Sequence, residues 1–152
     1  MRLLIYNIIV YLILPLTIIK LVYRGIKNKD YLRGWSERFA IYPDSEKNKW
    51  LKRKTLWVHC VSVGETKAIY RLLEQLQKKY PSAHFLITHG TPTGKKVVLP
   101  KNKNIHRAYL PYDAFNLVKR FLKFYRPSVG ILLEKEIWPN LISQCSSKKI
   151  PL

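Results

Sequence analysis

The sequence predicts an α/β fold: a Rossmann-like parallel sheet covered by helices and preceded by a hydrophobic helix. Three observations predict it: an uncharged apolar run at the amino terminus, short apolar segments alternating with amphipathic ones, and turn-forming residues between them. Strands that alternate with helices form right-handed crossovers, which place the strands side by side and parallel. We therefore predict a hydrophobic helix over residues 1–23, a short helix with a polar linker over 24–54, and the sheet domain over 55–152.

The hydrophobic helix has the composition of a membrane anchor. Residues 3–19 carry no charge, and the apolar character continues past Lys20 to Tyr23, which approaches the roughly 20 residues that cross a bilayer. Positive residues are concentrated after the run, so we expect a single anchor with the domain on the cytoplasmic side. A buried core helix and a helix lying in the membrane interface are the alternatives. A signal peptide is disfavoured, because bulky residues replace a small-residue cleavage site.

The region between the anchor and the sheet is predicted to be short and largely polar. Tyr31, Trp35 and Phe39 recur near helical spacing, and Asn28 or Asp30 precedes them as a capping residue. Residues 42–54 contain turn-forming and charged residues and are predicted to form a linker.

The sheet domain alternates strands and helices. Pro81 and Arg126-Pro127 mark helix ends, and Pro139 marks a helix start. The predicted strands cover residues 56–61, 84–88, 105–111 and 128–134, and the predicted helices cover residues 68–80, 114–125 and 138–149. Ligands of parallel sheets bind beyond the carboxyl ends of the strands. Polar or turn-forming residues follow all four predicted strands, so we expect the functional site at this edge.

Three carboxylates follow strand ends. Glu65 stands where a strand meets a helix, so the helix dipole favours its charged form while burial raises its pKa. That combination suits a general base, and a first-turn helix-stabilising role is the alternative. Glu134 and Glu136 lie two residues apart, and in an extended chain both would face one cavity. Ion pairing with Lys135 and nearby basic residues is the alternative.

The segment after the second strand resembles the start of an anion-binding helix. Thr91, Thr93, Gly94 and Lys95 combine hydroxyl groups, a permissive backbone and a positive charge, although the segment is not a Walker motif. A plain turn with a helix cap is the alternative. We expect a structural role for residues 138–140, with the tryptophan packed and the proline starting a helix.

The composition restricts the partners. The chain has 28 Lys and Arg against 9 Asp and Glu, a formal net charge of +19, which attracts nucleic acid, anionic lipid or phosphorylated substrates. The four histidines show no metal-ligand spacing, so we predict no metal site and no cofactor. Cys60 and Cys145 are distant in sequence and are predicted to be free thiols.

Taken together, the chain resembles the amino-terminal half of bacterial Kdo transferases. These enzymes of lipopolysaccharide biosynthesis move 3-deoxy-D-manno-oct-2-ulosonic acid (Kdo) from CMP-Kdo to a lipid A precursor. The resemblance rests on the leader and on "YLRGWSERF", "WVHCVSVGE", "TPTG", "YLPYD" and "EKEIWPN", in the family's order. It implies the amino-terminal domain of a GT-B glycosyltransferase at the bacterial inner membrane, with no metal required.

The resemblance also implies roles for individual residues. Glu65 would take the proton from the primary hydroxyl of the acceptor in an inverting transfer. The residues expected to bind substrate are Ser62, Gly64, Thr91, Thr93, Gly94, Lys95, Glu134 and Glu136.

The chain departs from the family pattern in three places. His89 and Gly90 replace residues of a TTTPTG-like loop, and Lys135 separates the two acids of a METE-like segment, where it could bind an acceptor phosphate or lower the pKa values of the acids. The chain ends at residues 150–152, where the resemblance places the next strand and, beyond it, the CMP-binding domain. We therefore expect acceptor and anionic membrane as partners, CMP-Kdo only when a second domain is supplied, and no transfer by the chain alone.

Two other classes of protein fit parts of the sequence. A nucleic-acid-binding module fits the charge alone, because no RNP pattern, zinc spacing or glycine-clamp loop is present; we expect no specific nucleic-acid partner. A non-catalytic, basic, membrane-anchored protein fits the leader and the charge without assigning a role to Glu65.

Overall fold

A computed structural model of the chain describes residues 2–51, 53–134 and 136–152. It contains six α-helices and four strands within those residues. The helices are α1 (Arg2–Lys27), α2 (Val63–Ala68), α3 (Tyr70–Lys79), α4 (Pro92–Lys96), α5 (Phe115–Tyr125) and α6 (Pro139–Ser147). The strands are β1 (Thr55–Cys60), β2 (His84–His89), β3 (Ile105–Tyr109) and β4 (Pro127–Leu132).

The four strands form one parallel sheet in the order β3-β2-β1-β4. The predicted Rossmann-like fold class is therefore confirmed. The chain builds outward from β1 through β2 to β3 and then returns to place β4 on the other side of β1. This reversal makes a topological switch point between β1 and β4, the position where open α/β sheets bind ligands.

Helices cover both faces of the sheet. On one face, Trp57 and Leu86 pack with Phe121 of α5 and Leu141 of α6. On the other, strand residues pack with Ile69 and Leu73. Burial on both faces explains the consecutive apolar residues at the centres of β1 and β2, which are 56–58 and 85–87.

The two cysteines lie in different parts of the core. Cys145 belongs to the apolar cluster on the α5–α6 face, and Cys60 belongs to the cluster on the other face. Both thiols are free and buried, as predicted.

The predicted short helix over residues 31–39 is wrong. The segment forms two 3₁₀ turns, Lys29–Tyr31 and Trp35–Phe39, separated at Gly34. Gly34 has a left-handed φ of 67°, a conformation that interrupts a right-handed helix. The predicted cap is confirmed for Asn28, whose side chain accepts a hydrogen bond from the backbone N–H of Asp30 at 2.9 Å.

The predicted linker over residues 42–54 is also more ordered than expected. Asp44–Leu51 forms a 3₁₀ helix. Its Trp50 is buried in the core, edge-on to Tyr125 and His106 with ring centroids 4.7 Å apart in each case. One large apolar side chain therefore fixes a segment that is otherwise polar.

The remaining boundaries differ by small amounts. The predicted helix over 68–80 begins earlier, at Val63, and divides at Ile69 into α2 and α3. The predicted strand over 128–134 ends at Leu132. The other strands end within two residues of their predicted limits.

Helix α1 is longer than the predicted anchor. Its segment from Leu3 to Lys27 is long and apolar enough to cross a membrane by length and composition. Pro15 lies inside the helix, a position that membrane helices tolerate.

Candidate functional site

The loops that follow the four strands meet at one edge of the sheet. We call this edge the rim; it comprises residues 61–65, 90–95, 110–114, 133–134 and 136–138. All nine predicted site residues, including the candidate base Glu65, lie in the parts of the rim that follow β1, β2 and β4. The sheet topology brings the loops after β1 and β4 together at the switch point.

Glu65 closes a capping box at the start of α2. Its two carboxylate oxygens accept hydrogen bonds from the backbone N–H groups of Val61 and Ser62, at 2.8 Å and 2.9 Å. In return, the hydroxyl of Ser62 accepts the backbone N–H of Glu65 at 3.3 Å. This reciprocal pairing satisfies donors that the first turn of a helix leaves free. The helix-stabilising alternative therefore describes the observed contacts of Glu65.

The environment makes Glu65 a stable anion. Burial raises the pKa of its carboxyl group, but the hydrogen bonds from Ser62 and from the backbone of Val61 outweigh this effect and lower the pKa below its usual value. The side chain is half-buried. The carboxylate is therefore ionised at neutral pH and has a fixed orientation at the rim.

The loop after β2 is locked against the loop after β1. The hydroxyl of Thr91 donates to the backbone oxygen of Val61 at 3.1 Å. A Cβ added at Gly90 would stand 2.7 Å from the Val61 side chain, and one at Gly94 would stand 3.3 Å from the backbone oxygen of Ser62. A side chain at Gly90 would force Val61 to move, and one at Gly94 would be tightly packed.

The predicted helix start after β2 is present as α4. Thr91 is its N-cap and accepts the backbone N–H of Gly94 at 3.2 Å, while Pro92 occupies the first turn. The hydroxyl of Thr93 donates to that of Thr91 at 3.2 Å. The ammonium group of Lys95 forms an ion pair with the carboxylate of Glu37 at 2.8 Å, so Lys95 is not an isolated positive charge at the rim.

His59 is a buried polar residue at the switch point that the sequence analysis did not select. Its Nδ1 lies 2.9 Å from the hydroxyl of Thr88, which also accepts the indole N–H of Trp57 at 2.8 Å. Nδ1 also lies 3.2 Å from the backbone oxygen of Thr88, a group that can only accept a hydrogen bond. Nε2 lies 3.5 Å from a carboxylate oxygen of Glu136.

Burial keeps this imidazole neutral. It lowers the pKa of His59 to about 4, although the backbone of Thr88 and the charge of Glu65 act in the opposite direction. His59 therefore offers a neutral polar group between the loops after β1 and β4. A histidine in an otherwise apolar strand, one residue before its end, was the available sequence signal.

The two acids after β4 do not share one orientation. The chain turns beyond Leu132, and the backbone N–H of Glu136 donates to the backbone oxygen of Glu134 at 2.8 Å. This contact replaces the extended geometry on which the expectation of a shared cavity depended. Glu136 is half-buried and accepts the indole N–H of Trp138 at 3.0 Å, whereas Glu134 is exposed. Lys135, between them, lies outside the described residues.

A second missed group ties the 3₁₀ turn at residues 35–39 to the rim. Glu37 accepts the backbone N–H of Tyr109 at 2.7 Å in addition to its contact with Lys95. The guanidinium group of Arg38 donates to the backbone oxygen of Gly90 at 3.0 Å and stacks on Tyr109 at 4.0 Å from the ring centre. These pairs join distant parts of the chain, so no local pattern predicts them.

Asp113 connects the loops after β3 and β4. Its buried carboxylate accepts the backbone N–H groups of Asn140 and Leu141, at 3.0 Å and 2.9 Å, at the start of α6. Pro139 is the first residue of this helix. The predicted structural role of residues 138–140 is therefore confirmed.

Metal ligands are not grouped in the described part of the chain. Across residues 2–51, 53–134 and 136–152, no three His, Cys, Asp or Glu side chains are placed to hold a metal ion. The chemistry available at the rim is that of carboxylates, hydroxyl groups, backbone N–H groups and basic side chains.

Comparisons with known proteins identify the family of the chain. A family model described as 3-deoxy-D-manno-octulosonic-acid transferase (Kdo transferase) matches residues 33–152. The 3-deoxy-D-manno-octulosonic acid transferase of Rickettsia bellii is 31% identical over 94% of this chain and 34% of its own length. The transferase of Haemophilus influenzae is 33% identical over 84% of this chain and 29% of its own length.

A more distant relative has the same description. The probable mitochondrial 3-deoxy-D-manno-octulosonic acid transferase of Arabidopsis thaliana is 27% identical over 97% of this chain and 32% of its own length. The chain thus spans about a third of the length of these relatives and aligns over most of its own. The family match and the two bacterial alignments together establish that the chain belongs to the Kdo transferase family.

Proposed function

We propose that this chain is the acceptor-binding domain of a Kdo transferase and carries the base that activates the acceptor. The observation that supports this proposal best is the meeting of Glu65, His59 and Glu136 at the β1–β4 switch point. A second Rossmann-like domain, implied by the family resemblance, is assigned the binding of CMP-Kdo. The reaction is then an inverting glycosyl transfer to a lipid A precursor.

The capping box and the role of Glu65 as base are compatible. A carboxylate has about four lone-pair positions, and the two backbone N–H bonds occupy two of them. A remaining lone pair accepts the proton of the acceptor's primary hydroxyl. As this proton is transferred, the hydroxyl oxygen bonds to the anomeric carbon of Kdo, while the bond from that carbon to the phosphate oxygen breaks and CMP departs.

The lowered pKa of Glu65 has two consequences for this step. It keeps the residue ionised at any pH near neutrality, so the base is always in its reactive form. It also makes the carboxylate a weak base, so proton removal must accompany attack on the anomeric carbon and not precede it. Glu136, on the facing loop, is assigned to contact the bound sugars, and the buried His59 of β1 lies 3.5 Å from it.

A basic groove beside the rim suits the phosphates of the acceptor. The groove, of about 200 Å³, lies between α1 and the loops after β2 and β3. Lys20, Arg24 and Arg38 contribute positive charge to its lining, with Thr17 and Gly90. The Nε atom of Arg38 is buried without a hydrogen-bond partner among the described residues. We assign this α1 groove to an acceptor phosphate.

We assign the domain to the cytoplasmic side of the inner membrane. The apolar surface of α1 attaches the chain to the bilayer, and positive residues follow this apolar segment. Each Lys or Arg near an anionic leaflet adds about 1 kcal/mol to the attraction, and the net charge of +19 acts in the same direction. Lipid and acceptor are thereby reached from one surface.

Acceptor binding tests the proposal without a donor domain. Binding to vesicles carrying bisphosphorylated lipid A precursor should exceed binding to vesicles carrying the dephosphorylated precursor. The double variant Lys20→Gln, Arg24→Gln should lose this preference, whereas Lys148→Gln, Lys149→Gln, which removes two exposed charges remote from the α1 groove, should keep it. Equal binding of both precursors by the wild type would refute an acceptor-binding role.

Transfer itself is measured with the donor domain supplied. The chain is joined to the carboxy-terminal part of the Rickettsia bellii relative, and Kdo transfer from CMP-Kdo to the precursor is followed. We expect turnover by the fusion and none by either part alone, because catalysis needs both substrates oriented in one cleft. Double-stranded DNA at increasing salt is the control for non-specific attraction.

A further inference from the structure

The amino-terminal part of helix α1 is hydrogen-bonded to Asp113 of the rim and to the nearby Asn140. The hydroxyl of Tyr6 donates to the carboxylate of Asp113 at 2.8 Å. The side chain of Asn140 donates to the side-chain oxygen of Asn7 at 2.9 Å. Asp113 and Asn140 are buried, so these contacts occur within the folded structure and not at a freely exposed surface.

The same helix also contacts the rest of the fold near its carboxyl end. Leu21 is buried in the α1 groove next to Gly90 and Tyr112. Gly25 is covered by Leu32, and a Cβ at that position would lie 2.4 Å from the Leu32 side chain. The helix therefore lies along the domain and does not project from it.

This attachment is incompatible with a helix that crosses the membrane. From Tyr6 to Gly25, a rise of 1.5 Å per residue gives about 28 Å, nearly the 30 Å or so of a hydrocarbon core. A crossing helix would place these residues at opposite membrane faces and the attached domain inside the bilayer. Exposed charges such as Lys119, Arg120 and Lys123 of α5 would then enter hydrocarbon, at several kcal/mol each.

The face of α1 turned away from the domain is apolar. Its most exposed side chains are separated by three, four, seven or eight residues, which places them on one side of the helix. They are Leu4, Leu12, Leu16, Ile19 and Ile26, between 62% and 77% exposed. The opposite side carries the contacts with the domain, from Tyr6 to Gly25.

Basic residues beside this apolar face indicate what kind of surface it contacts. Exposed Lys20, Arg24 and Lys27 extend from the same helix, so an apolar stripe is bordered by positive groups. Helices of this kind lie in the interface of anionic bilayers, with the apolar side among acyl chains and the basic residues at headgroup level. An anionic lipid leaflet complements both features.

We propose that α1 lies flat in one leaflet of an anionic membrane, held to the rim through Asp113 and Asn140. The proposal rests on the membrane attachment assigned above and is independent of sugar transfer. The amino terminus then stays on the same side of the bilayer as the domain, and the switch-point loops lie just beneath the headgroups. A lipid-borne substrate reaches the rim without leaving its leaflet.

Sidedness labelling tests this orientation in the full chain. Both native cysteines are buried, so a cysteine added before residue 1 or placed by Lys148→Cys is the reactive one. In sealed inverted vesicles of a Gram-negative inner membrane, a membrane-impermeant maleimide should label both positions; in intact spheroplasts it should label neither. Labelling of the two positions from opposite sides would overturn the flat orientation.

Fractionation separates the failure of this proposal from that of membrane attachment. A chain found in the soluble fraction would overturn both. A membrane-bound chain with opposite labelling would overturn only the flat helix. A chain that is labelled as expected but binds no precursor would contradict the acceptor-binding role and support the flat helix.

Depth along the helix provides a second readout. A polarity-sensitive fluorophore is attached at Leu4→Cys, Leu12→Cys or Ile26→Cys, and the chain is added to vesicles of phosphatidylglycerol and phosphatidylethanolamine. A flat helix predicts similar blue shifts at all three positions, with none at Lys148→Cys. A crossing helix predicts the largest shift at Leu12, and blue shifts that depend on protein concentration without vesicles would assign the apolar face to a second copy; either result contradicts the proposal.

Discussion

The loops after β1 and β2 differ from the loop after β4 in how firmly they are held. In the first pair, Thr91 bonds to Val61, and both carboxylate oxygens of Glu65 accept backbone N–H groups. In the loop after β4, Glu136 has one hydrogen bond to its neighbour Trp138 and a 3.5 Å approach to His59, and Ile137 is 82% exposed. One side of the switch point is thus organised before substrate binds, and the other is free to adjust.

The largest effect that this comparison predicts is on transfer. In the chain joined to a CMP-Kdo-binding domain, Glu65→Gln should lower kcat by about 10²–10⁴, the contribution of a general base. Glutamine can keep one of the two accepted backbone hydrogen bonds, so the thermal midpoint should fall by less than in Glu65→Ala. Glu65→Ala is the control that removes cap and base together and should lower both. A fully active Gln variant would show that Glu65 is structural only.

Acid should destabilise the β1–β2 side of the site. Burial lowers the pKa of His59 to about 4 and that of His89 to about 3, so below pH 6.5 the unfolded chain binds protons that the folded chain does not. The free energy of unfolding should therefore fall as the pH drops from 6.5 towards 4, by about 1.4 kcal/mol per pH unit for each histidine. Urea titrations across this range measure it.

Replacing either histidine checks the origin of that slope. His59→Gln and His89→Gln should each reduce the slope of the free energy of unfolding against pH by about 1.4 kcal/mol per pH unit, which corresponds to one bound proton. A profile unchanged in both variants would assign the acid sensitivity to other groups.

Two glycines test how closely the first two loops approach. Gly90→Ala should lower the free energy of unfolding by about 1–3 kcal/mol, because the added methyl group would meet the side chain and backbone of Val61. Gly64→Ala is the matched control, since its nearest neighbour would be 3.8 Å away. It should be neutral or stabilising by up to about 1 kcal/mol, the helix preference of alanine over glycine. Equal effects of the two substitutions would contradict the locked arrangement.

The smallest effects are expected when one contact is removed on either side of the switch point. Ser62→Ala removes the N-cap hydroxyl and should lower the free energy of unfolding by about 1 kcal/mol. Glu136→Ala removes a half-buried contact and should change it by less than about 0.5 kcal/mol. Chemical denaturation of the two variants distinguishes them. A Glu136→Ala variant less stable than Ser62→Ala would show that the loop after β4 is also held firmly.

The sheet could be predicted because its information is local. Apolar, β-branched runs identified all four strands, and the predicted helices after the first and third strands indicated a parallel order, although the connection from β2 to β3 contains only the short α4. The 3₁₀ helix Asp44–Leu51 could not be predicted, because its order depends on Trp50 meeting Tyr125, which is distant in sequence. The break at Gly34 required knowing which glycine adopts a left-handed conformation.

For the site, the location could be predicted from the sequence, but the contacts of its side chains could not. Parallel strands end at one edge, so the sequence already placed Glu65, Thr91 and Glu136 near one another. The partner of each side chain was not predictable. Lys95 pairs with Glu37 across 58 residues of sequence, and no pattern in either segment indicates it.

The bond between Tyr6 and Asp113 joins residues 107 positions apart. At about 5–20 residues per second, the first turns of α1 leave the ribosome about 5–20 seconds before their partner is made. During that interval the inner side of the helix has no fold to rest on, and hydrocarbon is the only nearby medium that shields its apolar surface. We therefore expect α1 to reach lipid before the domain folds against it.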